Sequence, residues 1–161
     1  MQIRRASAAD WPALWPIVKA VVDAGDTYVW QPTPSSDEMQ RLWLEPAPWH
    51  VVVAELNGQI VGTAKVGPNR PGRGSHVATA SFMVGPDHQG RGVGRALGEY
   101  IVERARDGGY RGMQFNAVVA TNTGAIELWK SLGFSIIGTV PQAFDHPKQG
   151  FVDLHVMYRP L

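Results

Sequence analysis

Apolar residues at Trp11, Leu14, Trp15, Val18, Val21 and Val22 fall three and four apart, the spacing of one helix face. Pro12 suits the first turn of that helix, whereas Pro16 predicts a kink or a split. Before it, Gln2 to Arg5 has the length of a short edge strand. Ser35 with Glu38 three residues later forms a capping box ahead of a second helical pattern through Met39, Leu42 and Trp43. From His50 the period changes. HVVVAE and QIVGTAKV read as two strands joined at Asn57-Gly58, the residue pair of a two-residue type I′ hairpin. PNRPGRGS is a loop by composition, and HVATASFMV is the next strand.

Helical spacing returns at Val93, Ala96, Leu97, Tyr100, Ile101 and Ala105, and Gly108-Gly109 ends it. MQFNAVVA is then a strand, and TGAIELWKSL a helix capped near Asn122 and stopped at Gly133. FSIIGTV and FVDLHVMYR close the chain as strands. The order predicts a mixed α/β layer without repeat or linker, with a right-handed crossover wherever a helix joins parallel strands. Its 161 residues and 17.6 kDa are the size of a single domain spanning 1–161.

Composition narrows the chemistry. The chain is 44% hydrophobic, with six tryptophans, as ordered globular proteins are. Fifteen basic against fourteen acidic residues leave a net charge of +1, so no global field draws it to nucleic acid or to an anionic membrane. Absence of cysteine excludes disulfides, thiolate metal ligands and a cysteine nucleophile. No apolar run follows Arg4 and Arg5, and no window approaches the length of a membrane span. The expectation is a soluble cytoplasmic protein. The five histidines lack metal-ligand spacing on one element, so no metal site is expected.

The stretch HQGRGVGRALG lies between a predicted strand and a predicted helix. There, backbone N–H groups without intrahelical partners meet the positive end of the helix dipole, an arrangement that receives anions. Gly90, Gly92 and Gly94 remove Cβ atoms that would hold a pyrophosphate away, and Arg91 and Arg95 oppose the dipole unless an anion lies between them. The competing reading is a plain turn. A dinucleotide fingerprint fails, because Arg95 or Leu97 stands where its third glycine belongs; a Walker A loop fails for want of a lysine between Lys65 and Lys130.

Gln89-x-x-Gly92-x-Gly94 after the strand ending at Val84, with Asn122, Ala125, Leu128, Trp129 and Gly133-Phe134 downstream, resembles the GNAT superfamily of acetyl-CoA-dependent N-acetyltransferases. The element order agrees along essentially the whole chain. The resemblance implies a twisted mixed sheet of about seven strands, flanked by about four helices, with the fourth and fifth strands splayed around coenzyme A. It implies that backbone groups of Phe82, Met83 and Val84 hold the pantetheine arm and thioester, and that Gln89, Gly90, Arg91, Gly92, Val93, Gly94 and Arg95 hold the pyrophosphate. Asn122, Ala125 and Trp129 would then line the far side, and a backbone N–H near Val84 would stabilise the oxyanion.

Many members of the superfamily carry a tyrosine, which protonates the departing thiolate, where this chain has Trp129. Indole cannot release that proton, which leaves hydrogen bonds from Asn122, Trp129 or water. Candidate bases are His76, Glu55, Asp87, His88, His146, Asp153 and His155, with His76 foremost because it begins the cofactor-facing strand. Its alternative is a strand-end histidine bonded to a loop carbonyl, and Asp153 and His155 are equally open to structural roles.

Strict alternation puts Met113, Phe115 and Ala117 on one face and Gln114, Asn116 and Val118 on the other. Asn116 would be a buried amide that either binds the acceptor or bridges the splayed strands. Tyr28 and Trp30, on an aromatic connecting segment, either pack or wall the acceptor. The run from Pro68 to Phe144 also resembles a branch that includes acetyltransferases of proline analogues such as azetidine-2-carboxylate, although the place of Thr79 is often asparagine there. The expected activity is direct acetyl transfer from acetyl-CoA to a primary or secondary amine of a small molecule such as an amino acid or analogue, with a homodimer as the expected assembly. A protein lysine or N-terminus, or acyl-CoA binding without catalysis, is the alternative.

Overall fold

A computed structural model describes residues 1–30 and 35–161; the QPTP part of the aromatic connecting segment lies outside the described residues. The strands are β1 (Gln2–Arg5), β2 (His50–Leu56), β3 (Gln59–Pro68), β4 (Val77–Val84), β5 (Gly112–Val119), β6 (Ser135–His146) and β7 (Gly150–Pro160). The helices are α1 (Trp11–Ala24), α2 (Ser36–Trp43), α3 (Val93–Asp107) and α4 (Thr123–Ser131). One sheet runs in the order β1-β2-β3-β4-β5-β7-β6. All neighbours are antiparallel except β4 and β5.

The valine run of β2 is apolar on both faces because both faces are covered. Val52 and Ala54 join Leu97, Ile101 and Met113 beneath α3, while Val51 and Val53 join Leu14, Val18, Met39 and Trp43 beneath α1 and α2. Trp43 is fully buried, and its indole N–H donates to Thr63 Oγ1 at 3.0 Å; that hydroxyl donates to the Val52 carbonyl at 2.7 Å. The core therefore holds a polar pair with its hydrogen bonds met.

The β2–β3 hairpin turns at Asn57 and Gly58 with φ of 52° and 78°, the two positive values that a type I′ turn requires. The Glu38 N–H donates to Ser35 Oγ at 3.2 Å, as the capping box predicts. Two local expectations fail. Helix α1 runs unbroken through Pro16, because the proline removes only one backbone bond while Leu14, Ile17, Val18 and Val22 stay buried along the helix. Strand β6 runs on past Val140 to His146, carrying Pro141, which is tolerated because β6 is an edge strand.

Candidate active site at the split between two strands

Strands β4 and β5 pair only at Val77 with Gly112 and at Ala78 with Met113, and then diverge. The aromatic rings of Phe82, Phe115 and Trp129 fill the base of the resulting wedge. Trp129 lies with its centroid 4.6 Å from Phe82 and 4.9 Å from Phe115, and Phe115 stacks on Phe134 at 4.3 Å. Beyond Ala78, β4 keeps its ladder to β3 alone. Alternation along an antiparallel ladder turns the N–H and C=O groups of Ala80, Phe82 and Val84 toward the open side. The Tyr28 hydroxyl takes both groups of Phe82: it accepts the N–H at 3.0 Å and donates to the carbonyl at 2.8 Å. Burial raises the Tyr28 phenol above its usual range, outweighing the hydrogen bond at Phe82, so the hydroxyl stays neutral.

The glycine stretch forms the mouth of a groove. Gly90 and Gly92 have φ of 73° and 80°, and a Cβ on either would meet no atom within 4 Å. Gly92 caps α3, and the Ala96 N–H is bonded back to its carbonyl at 3.0 Å. That leaves the N–H groups of the first turn without an intrahelical partner. From here a cavity of about 940 Å³ runs past Gln89, Gly94 and Arg95 to Val84 and the wedge. Arg95 is steadied by Ser131, 3.0 Å from its Nη2. Open glycine backbone, helix N–H groups, a guanidinium and a long groove suit a ligand with a pyrophosphate and a slender arm.

A second cavity, of about 290 Å³, lies between Tyr28, Trp30, Thr79, Ser81 and Asn116. The Tyr28 and Trp30 rings stack at 4.8 Å, and both meet Trp43 edge-on. The two cavities share Thr27, Phe82, Asn122, Ala125 and Trp129. Asn122 Oδ1 caps α4 by accepting the Ala125 N–H at 3.2 Å, so its Nδ2 group is the end left for a ligand.

Several residues named from sequence are placed otherwise than expected. His76 is exposed in the turn before β4, outside both cavities, with its carbonyl accepting the Arg111 N–H at 2.9 Å where β4 and β5 begin to pair. Met83 faces α1 and α2 and is 1% exposed, while its backbone pairs with Thr63. The Val93 side chain is buried in the core, and Arg91 is exposed beside the groove without lining it. Asn116 is exposed rather than buried, because an irregularity between Phe115 and Val118 breaks the alternation and puts Asn116 and Ala117 both outward. Its Nδ2 donates to Asn69 Oδ1 at 2.7 Å and its Oδ1 accepts from Gln114 Nε2 at 2.8 Å.

The remaining candidate bases sort by contact. Glu55 accepts from Arg4 at 2.6 Å, Asp153 accepts the Gln142 N–H at 2.9 Å, and His155 Nδ1 lies 2.9 Å from Thr139 Oγ1. Asp87 is exposed and lines neither cavity. His88 and His146 line the larger cavity. His146 and Lys148 enter it from the β6–β7 hairpin, which no spacing in the chain connects to the glycine stretch. The Lys148 N–H donates to His146 Nδ1 at 3.1 Å.

The sequence model of the Acetyltransferase (GNAT) family matches residues 11–134. A GCN5-related N-acetyltransferase from Kribbella flavida is 50% identical, with a TM-score of 0.95, over 99% of this chain and 97% of that one. YncA from Salmonella typhimurium, a putative acetyltransferase solved with its cofactor acetyl-CoA, is 31% identical over 100% of this chain and 94% of its own, with a TM-score of 0.84. The L-methionine sulfoximine/L-methionine sulfone acetyltransferase of Pseudomonas aeruginosa is 31% identical over 145 residues, 87% of this chain and 83% of that protein. The N-acetyltransferase aca1 of Schizosaccharomyces pombe is 35% identical over 98 residues, 60% of this chain and 47% of that protein, so the chain spans about half the length of that relative. With the splayed strands, the glycine cradle and these matches together, the chain belongs to the GNAT family of acetyltransferases, whose cosubstrate is acetyl-CoA.

Proposed function

We propose that this protein, as one domain over 1–161, transfers the acetyl group of acetyl-CoA directly to a compact primary or secondary amine. The observation that carries the reading is the meeting of the two cavities at Phe82, Asn122 and Trp129, which brings a bound thioester and a small acceptor to one point. Gln89, the glycines and Arg95 hold the pyrophosphate, and the Val84 N–H faces the thioester carbonyl as the oxyanion donor. Asn122 Nδ2 steadies the departing sulfur, Asn116 and Thr79 orient the acceptor, and Tyr28 with Trp30 walls it. A thiol with a pKa near 8.5 is a tolerable leaving group near neutrality, so transfer does not require an acid at Trp129.

Amino-acid analogues are the acceptor class that the name of the Pseudomonas relative offers. A cavity of about 290 Å³ suits a small molecule. A cytoplasmic setting and pairing of subunits belong to the same reading; Ile137, Val140 and Phe151 on β6 and β7 are the exposed apolar residues that support pairing. The test begins with thermal unfolding in acetyl-CoA, where saturation to a hundred times Kd gives about 2.7 kcal/mol of stabilisation. A panel of small amines is then followed by free-thiol release. Acetyl-CoA binding without turnover above hydrolysis on any amine overturns the reading.

A further inference from the structure

The acceptor cavity differs from the cofactor groove in one respect that bears on its substrate. Asp26, His88, Arg95, His146 and Lys148 all line the larger cavity, and none of them lines the smaller one. Among the described residues, the wall of the smaller cavity has a single ionisable side chain, Tyr28, whose hydroxyl is engaged with Phe82. Arg70, next to the Asn69 that holds Asn116, is exposed and turned onto the Asn69 carbonyl at 3.2 Å.

We infer that the acceptor enters this cavity as a neutral, weakly basic amine without a free carboxylate, of the class of α-amino amides and esters rather than amino acids themselves. The inference rests on the proposed acetyl transfer to a compact amine and narrows it. Among the described residues, no cation lines this cavity to meet a carboxylate, and no carboxylate lines it to receive an ammonium or its proton. A lysine-like amine is neutral in only about one molecule in a thousand near pH 7.4, whereas an α-amino group beside an amide carbonyl is neutral in roughly a fifth to a third. The second class needs no enzyme base to reach its reactive form.

The polar groups that are present fit that acceptor. Asn116 spends one N–H on Asn69 and one lone pair on Gln114, which fixes the amide and leaves one donor and one acceptor for a neutral carbonyl or amide. Thr79 and Ser81 add hydroxyls, and the Tyr28–Trp30 stack offers an apolar wall. In the transfer, the amine lone pair forms the N–C bond, the C–S bond breaks, and the proton shed by nitrogen is matched by the one that the thiolate takes up.

The test compares matched pairs, phenylalanine with phenylalaninamide and leucine with leucinamide, by free-thiol release at saturating acetyl-CoA across about pH 6 to 9. The amides are expected to exceed the acids in kcat/KM by roughly 30-fold or more. Their profile should rise with the amine's own ionisation and then stay level. Acids used as well as or better than their amides overturn this inference alone and leave acetyl transfer to small amines standing. If no compact amine of either kind reacts while acetyl-CoA raises Tm, or if only peptides react, both readings fall.

Discussion

One phenolic oxygen, that of Tyr28, serves both backbone groups of Phe82, accepting its N–H at 3.0 Å and donating to its C=O at 2.8 Å. It stands where β5 would continue the sheet had the strands not parted after Ala78. Tyr28→Phe keeps the ring on Trp30 and removes only the oxygen. A partly enclosed backbone group left unpaired costs roughly 1–3 kcal/mol, and each kcal/mol is about 2–4 °C at this size. The expected result is a Tm lower by about 2–12 °C together with a fall in kcat/KM; an unchanged Tm and rate would show that the bridge contributes nothing.

At Gly92 conformation and charge can be separated. An alanine there meets no atom but must hold φ near 80°, which costs roughly 1–2 kcal/mol. Gly92→Ala should therefore lower Tm while keeping the thermal shift with acetyl-CoA. Gly92→Glu carries the same strain and adds a carboxylate where the pyrophosphate is expected, so the shift with acetyl-CoA should vanish. Retained binding by Gly92→Glu would return the stretch to being a turn.

Trp129 is 8% exposed between Phe82 and Phe115, so its ring is part of the wedge that holds the strands apart. Trp129→Tyr restores the side chain common in the family but leaves space beside Phe82, at an expected loss of about 1–2 kcal/mol read as Tm. No gain in kcat is expected. A gain of about tenfold would mean that thiolate protonation limits turnover.

His50 makes stability depend on pH. Its Nε2 is buried without a hydrogen-bond partner among the described residues, and burial, followed by the charges of Arg104 on α3 and Arg5 on β1, lowers its pKa below the usual value near 6.5. Between the lowered folded value and the unfolded one, the unfolded chain binds more protons, so stability falls as pH drops below about 6.5. The loss in Tm between about pH 7.5 and 5.5 should be smaller in His50→Phe than in the wild type. Equal losses would place the pH dependence elsewhere.

Much of the site could be read from local chemistry. Gly90 and Gly92 adopt positive φ, and the turn they make opens α3 as the glycine spacing implies. Asn122 caps the Ala125 N–H because an Asx side chain at that place satisfies an orphan donor whatever surrounds it. The paired turn residues Asn57-Gly58 likewise act within their own hairpin.

What failed depended on neighbours distant in sequence. The alternation that would bury Asn116 is broken by the pairing of β5 with β7, and the exposed amide finds Asn69 from the other side of the wedge. His76 immediately precedes the right strand but at its closed end, since the split starts only after Ala78. His146 and Lys148 reach the groove through a hairpin that folds back from the far edge strand.

The elements, the caps and the glycine turn that opens α3 were set locally, because they depend on residue spacing and on backbone groups within a few positions. Long-range packing alone left Tyr28 as the single ionisable side chain among the described residues that line the smaller cavity, and set its hydroxyl on both backbone groups of Phe82. Both follow from the parting of β4 and β5 over an aromatic wedge, and such cross-strand packing has no period in one dimension.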